Sequence, residues 1–314
     1  MKEDSKILIT GAGGMVGKNL VRELNKEGHY SLLTPSSEDL DLRDRNLVFN
    51  YFNSNKPEYV FHLAARVGGI KANIENPVEF LRDNLLLNTN VIDASYNNGI
   101  KKLINLGSSC IYPTQSPQPM REEHLLSGKL EPTNEGYALS KILSLKLCQY
   151  YNEKKGTNFI SLMPPNIYGV HDKFSESHSH VLAALLKKFH LANEKNDPSV
   201  KVWGTGEVKR EFLYAEDMAK ILTFSMKNIS PDNLYERCFL NCGPSEEVSI
   251  TELSRLTKKV VGFEGEILFD TSKPTGMKRK LMDSSRFKSK GFNEFTSLEE
   301  GLKKTYEWYK EDFK

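Results

Sequence analysis

Lys6-Ile-Leu-Ile-Thr-Gly-Ala-Gly-Gly-Met-Val-Gly17 is the stretch on which the fold turns. Its first half is a short apolar run that reads as a buried strand. The glycines then end that run. From Met15 to Glu27 the apolar residues Val16, Leu20, Val21 and Leu24 recur at helical spacing, and Gly28 closes the pattern. Gly11, Gly14 and Gly17 fall as G-x-x-G-x-x-G between strand and helix. Glycines there permit a tight turn and a close backbone approach to a pyrophosphate, and the helix N-terminus offers unpaired N–H groups and a partial positive charge. A glycine-rich turn without a ligand is the plainer reading, and the strand-to-helix position speaks against it.

The same alternation continues outward. Tyr30–Leu33 predicts a second strand, Leu47–Phe52 a short helix, and Tyr59–Leu63 a third strand. Pro77–Asn97 predicts a long helix carrying Leu85, Leu86, Val91 and Ile92, and Lys102–Leu106 a fourth strand. Tyr137–Glu153 and Phe159–Met163 predict another long helix and a fifth strand. Such alternation implies an α/β protein with a doubly wound parallel sheet. After Pro164 the rhythm breaks. Helices are expected over about 180–192, 215–226, 250–261 and 298–309, with short strands near 200–203 and 211–214. The expected division is a cofactor-binding domain over 1–165 and a smaller α/β substrate lobe over 166–314, with 212–245 returning to the first domain.

Composition excludes several classes. In 314 residues, 43 basic and 41 acidic side chains leave a net charge of +2, so no nucleic-acid footprint is expected. No apolar run is long enough to span a bilayer. The polar start Met1–Lys6 is read as carrying no signal peptide, which points to the cytoplasm. In that compartment Cys110, Cys148, Cys238 and Cys242 are expected as free thiols. Cys238 and Cys242 lack a second pair to complete a zinc site, and Cys148 fits a packed helix face. His171, Asp172, His178 and His180 cluster in sequence, but the chemistry below needs no metal, so none is expected. His62, inside a strand, reads as core. Lys278-Arg-Lys280 reads as a solvated basic face, with a phosphate contact as the alternative.

Two further stretches concern the cofactor and the chemistry. The end of the second strand, Leu33-Thr-Pro-Ser-Ser37, offers the hydroxyls of Ser36 and Ser37 where an NAD-selective site places a carboxylate; this favours NADP(H), with Glu38 and Asp39 as the nearest acids. Leu63-Ala64-Ala65 ends the third strand with small residues beside which a cofactor can lie. Gly107-Ser-Ser-Cys110 ends the fourth strand, and Tyr137 and Lys141 stand four apart at the start of the next helix. An ammonium on the same helix face is expected to stabilise the phenolate and lower the tyrosine pKa, while Ser108 holds a carbonyl.

With these motifs the chain resembles the extended short-chain dehydrogenase/reductases. Within them it is similar to the GDP-4-keto-6-deoxymannose 3,5-epimerase/4-reductases, the GDP-L-fucose synthase family. The residues that carry the narrower resemblance are Ala64-Ala-Arg-Val-Gly-Gly-Ile70, Leu106-Gly-Ser-Ser-Cys-Ile-Tyr-Pro113, Leu130-Glu-Pro-Thr-Asn134, Gly169-Val-His-Asp172, Ser179-His-Val181, Val202-Trp-Gly-Thr-Gly206 and Arg210-Glu-Phe212. The resemblance runs from about Ile7 to Tyr309. It implies that Ser108, Tyr137 and Lys141 form the reductase triad, and that Cys110 and His180 are the acid/base pair of epimerisation. It implies cofactor contacts from Gly11, Ala12, Gly13, Gly14, Met15, Val16 and Gly17, from Leu106, Gly107, Ser108 and Ser109, and from Lys141, Pro164, Pro165, Asn166, Ile167 and His180. It implies that Asn166, Lys188, Trp203, Arg210 and the position of Thr275 meet the GDP-sugar. Three departures stand out: Ser37 where the family commonly has an Arg near the 2′-phosphate, Pro165 in place of a Thr, and Thr275 in place of an acidic residue.

The resemblance implies an NADP-dependent enzyme that inverts C3 and C5 of a GDP-4-keto-6-deoxymannose-type substrate and then reduces C4. The alternatives are the same chemistry on another GDP-4-keto sugar, a dideoxyhexose or a heptose; a 4,6-dehydratase, which would show an Asp-Glu pair at Ser109-Cys110; and a non-catalytic dinucleotide sensor, which would lack the Tyr–Lys pair. A homodimer through the two long helices is expected, as in this family.

Overall fold

The computed structural model describes residues 1–174, 180–272 and 277–312. The first half runs β1 (Ile7–Thr10), α1 (Met15–Lys26), β2 (Leu32–Leu33), α2 (Arg45–Asn55), β3 (Tyr59–His62), α3 (Ile70–Glu75), α4 (Pro77–Asn97), β4 (Lys102–Leu106), α5 (Glu135–Lys155) and β5 (Phe159–Met163). The second half runs β6 (Asn166–Tyr168), α6 (Val181–Lys195), β7 (Ser199–Trp203), β8 (Lys209–Tyr214), α7 (Ala215–Asn228), β9 (Phe239–Asn241), β10 (Glu247–Ser249), α8 (Ile250–Val261), β11 (Glu266–Asp270), β12 (Arg279–Lys280), α9 (Ser285–Lys288) and α10 (Leu298–Asp312).

Six parallel strands form the central sheet in the order β2-β1-β3-β4-β5-β9. The period-2 geometry of β1 divides its side chains between two cores. Ile7 and Ile9 pack with Leu20 and Leu24 of α1 and with Ile221 and Leu222 of α7. Leu8 packs on the other face with Val48 and Phe52 of α2 and with Val91 and Ile92 of α4. Both faces are covered, so the strands read as continuous apolar runs. Each such fully buried Leu or Ile contributes about 1.5–3 kcal/mol of transfer free energy.

The second strand is shorter than its sequence pattern predicts, only Leu32–Leu33, because it lies at the sheet edge with one neighbour. α3 is a short additional helix that the sequence pattern did not single out. β9 was also unread, yet it returns late in the chain to pair with β5. Lys102 in β4 fastens this return: its buried ammonium donates to Ser225 O and Met226 O, 2.8 and 2.7 Å away, at the end of α7. A further apolar core joins α6, α8 and α10 with β7 and β8. β8 is the hub of this lobe, pairing with β6, β10 and β12.

Candidate active site

The chain leaves β1 for β2 on one side and comes back to β3 on the other. This switch point opens a crevice at the carboxyl ends of β1 and β3. Gly11 lies there with φ +73, and a Cβ on it would meet Ala64 N at 2.8 Å. Leu63, Ala64 and Ala65 therefore abut the glycine turn. A Cβ on Gly17 would run into Gly11 O and the Ala12 backbone, so that glycine permits the helix to sit against the turn. Ala12 is buried, whereas Gly13 and Gly14 are exposed, and Gly13 faces open space. Gly14 caps α1 with no side-chain bond to the first turn, which holds no acidic residue and begins with Met15 and Val16. These features fit the pyrophosphate of a dinucleotide.

His62 is a core residue of this crevice wall. Its Nε2–H donates to Asn88 Oδ1 at 2.9 Å, and its Nδ1 accepts from Thr10 Oγ1 at 2.8 Å. Burial, and then the Lys141 charge, push its pKa down to about 3, so the ring is neutral.

At the outer end of the crevice the turn after β2 differs from the expected hydroxyl pocket. The Ser36 amide and hydroxyl both donate to Asp39 Oδ2, at 3.0 and 2.7 Å. Those bonds hold the Asp39 carboxyl below the usual carboxylate range. Ser37 is exposed beside them.

At the inner end, β4 delivers Leu106, Gly107, Ser108 and Ser109 beside the end of β5. Gly107 N donates to Leu162 O at 2.8 Å, and Ser109 N to Pro164 O at 3.1 Å. The Cys110 amide donates to Ser108 Oγ at 3.3 Å. One turn of α5 separates Tyr137 from Lys141, and Lys141 is 3% exposed. The Lys141 ammonium donates to Leu106 O at 2.7 Å and stands 5.7 Å from the centre of the Tyr137 ring.

One expectation is corrected here. The Tyr137 pKa is raised, not lowered, by burial and then by Cys110. Lys141 is anchored on a carbonyl, and burial lowers its own pKa to about 8, so desolvation outweighs its charge. The phenol thus keeps its proton at neutral pH, as a proton donor should.

Cys110 is a buried free thiol whose pKa burial pushes up, with Lys280, Ser108 and Lys141 pulling it back. His180 caps α6; surrounding protein and then the Lys280 charge lower its pKa, although the residue is exposed to solvent. The Lys280 charge acts on both groups. The solvated face read for Lys278-Arg-Lys280 is thus corrected at one position. β12 pairs with β8 in the register Lys280↔Arg210. Strand alternation sends Arg279 outward to Glu247, at 2.7 Å, and Lys280 inward. The period-2 pattern of Lys278–Met282 was the signal that could have shown it.

Arg210 donates to Lys209 O and Met277 O, 2.8 and 2.7 Å away, and burial lowers its pKa to about 10. Lys188 stands 5.2 Å from the Trp203 ring centre and donates to Lys201 O at 3.2 Å. Asn166 donates to Glu211 O at 3.0 Å, with Ile167 next to it in β6 and Pro165 packed at the Gly243 turn. Glu211 is a further residue the sequence reading missed. It is fully buried and accepts from Met282 N and Ser245 N, each 2.8 Å away, so it ties the Lys280 segment to β8. Burial raises its pKa to about 7. Thr275, His178 and Ser179 lie outside the described residues. Among the described residues, no group of three His, Cys, Asp or Glu could hold a metal ion.

The family model described as NAD dependent epimerase/dehydratase family matches residues 7–238. The chain is 46% identical to a putative GDP-L-fucose synthase 2 of Arabidopsis thaliana over 99% of this chain and 94% of that one. It is 42% identical to the GDP-L-colitose synthase of Yersinia pseudotuberculosis over 97% of each. Among solved structures, a GDP-6-OMe-4-keto-L-xylo-heptose reductase from C. jejuni superposes with a TM-score of 0.95 at 35% identity over 99% of both chains. A GDP-L-fucose synthetase from Naegleria fowleri bound to NADP gives a TM-score of 0.90 at 32% identity, over 100% of this chain and 96% of that one. Sheet order, glycine turn, Tyr–Lys helix and relatives agree: the chain belongs to the NAD dependent epimerase/dehydratase family.

Proposed function

We propose that the chain is an NADP-dependent epimerase/reductase of the GDP-L-fucose synthase type, acting on GDP-4-keto-6-deoxymannose. The observation that carries this reading is the Lys141 ammonium bound to Leu106 O at 2.7 Å and 5.7 Å from the Tyr137 ring, at the end of β4 that also bears Ser108 and Cys110, in a chain matched over nearly its full length by GDP-L-fucose synthases. The C4 ketone acidifies the protons at C3 and C5, so one carbonyl activates both centres. Burial leaves the Cys110 thiol protonated, and the surrounding protein with the Lys280 charge holds the His180 pKa below its ordinary value, so that imidazole is neutral near pH 7. One partner can then give a proton while the other takes one, which is what inversion at a carbon requires. Lys280 moderates both groups, and its charge suits an enolate forming between them.

Gly11–Gly17 would hold the dinucleotide pyrophosphate, with Leu63–Ala65, Leu106–Ser109 and Pro164–Ile167 lining the rest of its path. NADPH, when bound, supplies the hydride that C4 receives. Ser108 orients the C4 oxygen, Tyr137 protonates it, and Lys141 holds the Tyr137 turn against β4. Lys188, Trp203, Arg210 and Asn166 take the GDP-sugar, the cations meeting the diphosphate and the ring a base or sugar face. Residues 1–165 with 212–245 form the cofactor domain in this reading, and the remainder forms the substrate lobe.

A homodimer is part of the proposal. Val78 and Leu86 on α4 and Leu139, Leu143 and Tyr150 on α5 leave an exposed apolar face on the two long helices. A cytoplasmic setting is also proposed, and four free, buried cysteines suit it. No helix among the described residues is long and apolar enough to cross a membrane.

The test is NADPH oxidation with GDP-4-keto-6-deoxymannose, followed by identification of the sugar. Formation of GDP-L-fucose supports the reading. A second reading, the same chemistry on a dideoxyhexose or heptose, is favoured by the colitose and heptose relatives. Turnover of those GDP-4-keto sugars alone would put it first.

A further inference from the structure

We infer that Asn241 is a positioning residue for epimerisation, holding the turn that carries Cys110 against the segment that follows Lys280. The inference rests on the proposed role of Cys110 as a proton carrier and goes beyond it, to the side chain that places the thiol. Asn241 ends β9, which pairs with β5 in the register Met163↔Asn241. It is fully buried. A buried carboxamide is destabilising unless its oxygen and its amide protons find partners. Here Oδ1 accepts from the Tyr112 hydroxyl at 2.6 Å. Nδ2 donates to Met120 O and to Asp283 O, each at 3.1 Å. The Asn241 amide donates to Glu122 Oε1 at 3.1 Å, and Glu122 in turn takes Arg286 Nη1 at 2.8 Å.

These bonds join two segments that meet at the thiol. Tyr112 stands two residues after Cys110, and its amide donates to Ser109 O, closing the short turn Ser109–Ile111 in which Cys110 sits. Asp283 stands three residues after Lys280. Between them, Leu281 N donates to Gln118 Oε1 at 2.9 Å and Met282 N to Glu211 Oε2 at 2.8 Å. Asp283 N then donates to Met120 O at 2.8 Å, the same carbonyl that accepts from Asn241. Cys110, Tyr112, Met120 and Met282 pack in one apolar cluster. One carboxamide thus bonds both the turn of the thiol and the continuation of the Lys280 strand. The reductase groups are held by other means: Lys141 by Leu106 O, and the Gly107 and Ser109 amides by Leu162 O and Pro164 O. Loss of the Asn241 bonds should therefore fall on proton exchange at C3 and C5 more than on hydride transfer to C4.

The test compares two rates on the full chain with GDP-4-keto-6-deoxymannose: entry of solvent deuterium at C3 and C5 in D₂O, and oxidation of NADPH. Tyr112→Phe keeps the ring and its contact with Phe239, 6.4 Å between centres, and removes only the hydroxyl. It should lower the ratio of exchange to NADPH oxidation about tenfold, with unepimerised C4-reduced sugar accumulating. Asn241→Asp keeps the shape but sets an oxygen in place of the nitrogen that donates to Met120 O and Asp283 O, and should lower the ratio about thirtyfold. The double variant should do no worse than Asn241→Asp, because both changes act through one chain of bonds. Should Asn241→Asp fail to fold, Tyr112→Phe decides alone. An unchanged ratio in Tyr112→Phe, or exchange and oxidation falling together, is what a merely structural role gives and overturns the inference. Independent, additive losses in the double variant overturn it as well. A wild type that oxidises NADPH without exchanging deuterium overturns the epimerase reading beneath it, and is thus distinct from a wild type that exchanges while its variants keep the same ratio.

Discussion

At the Tyr137 end of the cleft, the reacting groups are withdrawn from water. At the Ser36–Asp41 end, nearly every charged group touches it. Lys141 and Cys110 are 3% and 6% exposed, and desolvation is the largest cause of the shift at each of Tyr137, Lys141 and Cys110. Around Asp39 and Asp41 the leading cause is a local hydrogen bond, to Ser36 or Arg43. Chemistry that depends on a held proton needs the first environment, where dielectric screening is weak and packing fixes geometry. In the second, exposure to solvent screens each charge contact and keeps it small.

The largest expected effect tests the buried end. Tyr137→Phe keeps the shape of the ring and its edge-on contact with Phe80, 6.5 Å between centres, but removes the proton. Reduction at C4 should fall by about 10³-fold with cofactor affinity little changed. Steady-state NADPH oxidation checks this, and near-normal turnover would take Tyr137 out of the mechanism.

Cys110→Ser should divide the two half-reactions. Solvent deuterium should no longer enter C3 and C5, while NADPH is still oxidised, giving an unepimerised C4-reduced sugar. Full exchange in D₂O by the serine variant would leave Cys110 a packing residue.

Glu211→Gln probes the buried link from β8 to Met282 and Ser245. The folded-state pKa of Glu211 is raised to about 7 from 4.5. Its contribution to stability is therefore whole below about pH 4.5 and is lost as pH rises through about 7. The shift corresponds to about 3 kcal/mol. Urea unfolding of wild type and variant across pH 4–8 should show the difference between them change by about that amount; parallel curves would count against a raised pKa.

Lys280→Met should raise KM for the GDP-sugar about tenfold and slow deuterium exchange, with NADPH affinity unaltered. An unaltered KM would return Lys280 to the solvated face where its sequence context puts it.

How much of this was readable beforehand depends on the range of the interaction involved. The glycine turn, the strands from Ile7 to Met163 and the Tyr137–Lys141 spacing are local patterns, since a period of 2 or 3.6 and a run of glycines are properties of neighbouring residues. Ile250–Val261 was expected as a helix and is one, bounded by the Ser249–Glu252 capping box and by Gly262 at φ +80. The three-residue β9 carries no period to detect, and only its partner β5 makes it a strand. Asp39 was noted beside the cofactor stretch, but that it would take up the Ser36 hydroxyl depends on how the turn closes.

The sequence by itself determined the doubly wound α/β architecture, the dinucleotide turn and the identities of the groups able to move protons. Tertiary structure alone decided their protonation and their company. Whether Lys141 lowers the Tyr137 pKa depends on where its ammonium is anchored and on how much water is excluded. Whether Lys280 is surface or site depends on its pairing with β8. Both are set by contacts between residues far apart in the chain, and desolvation is a property of the closed cleft that no single stretch carries.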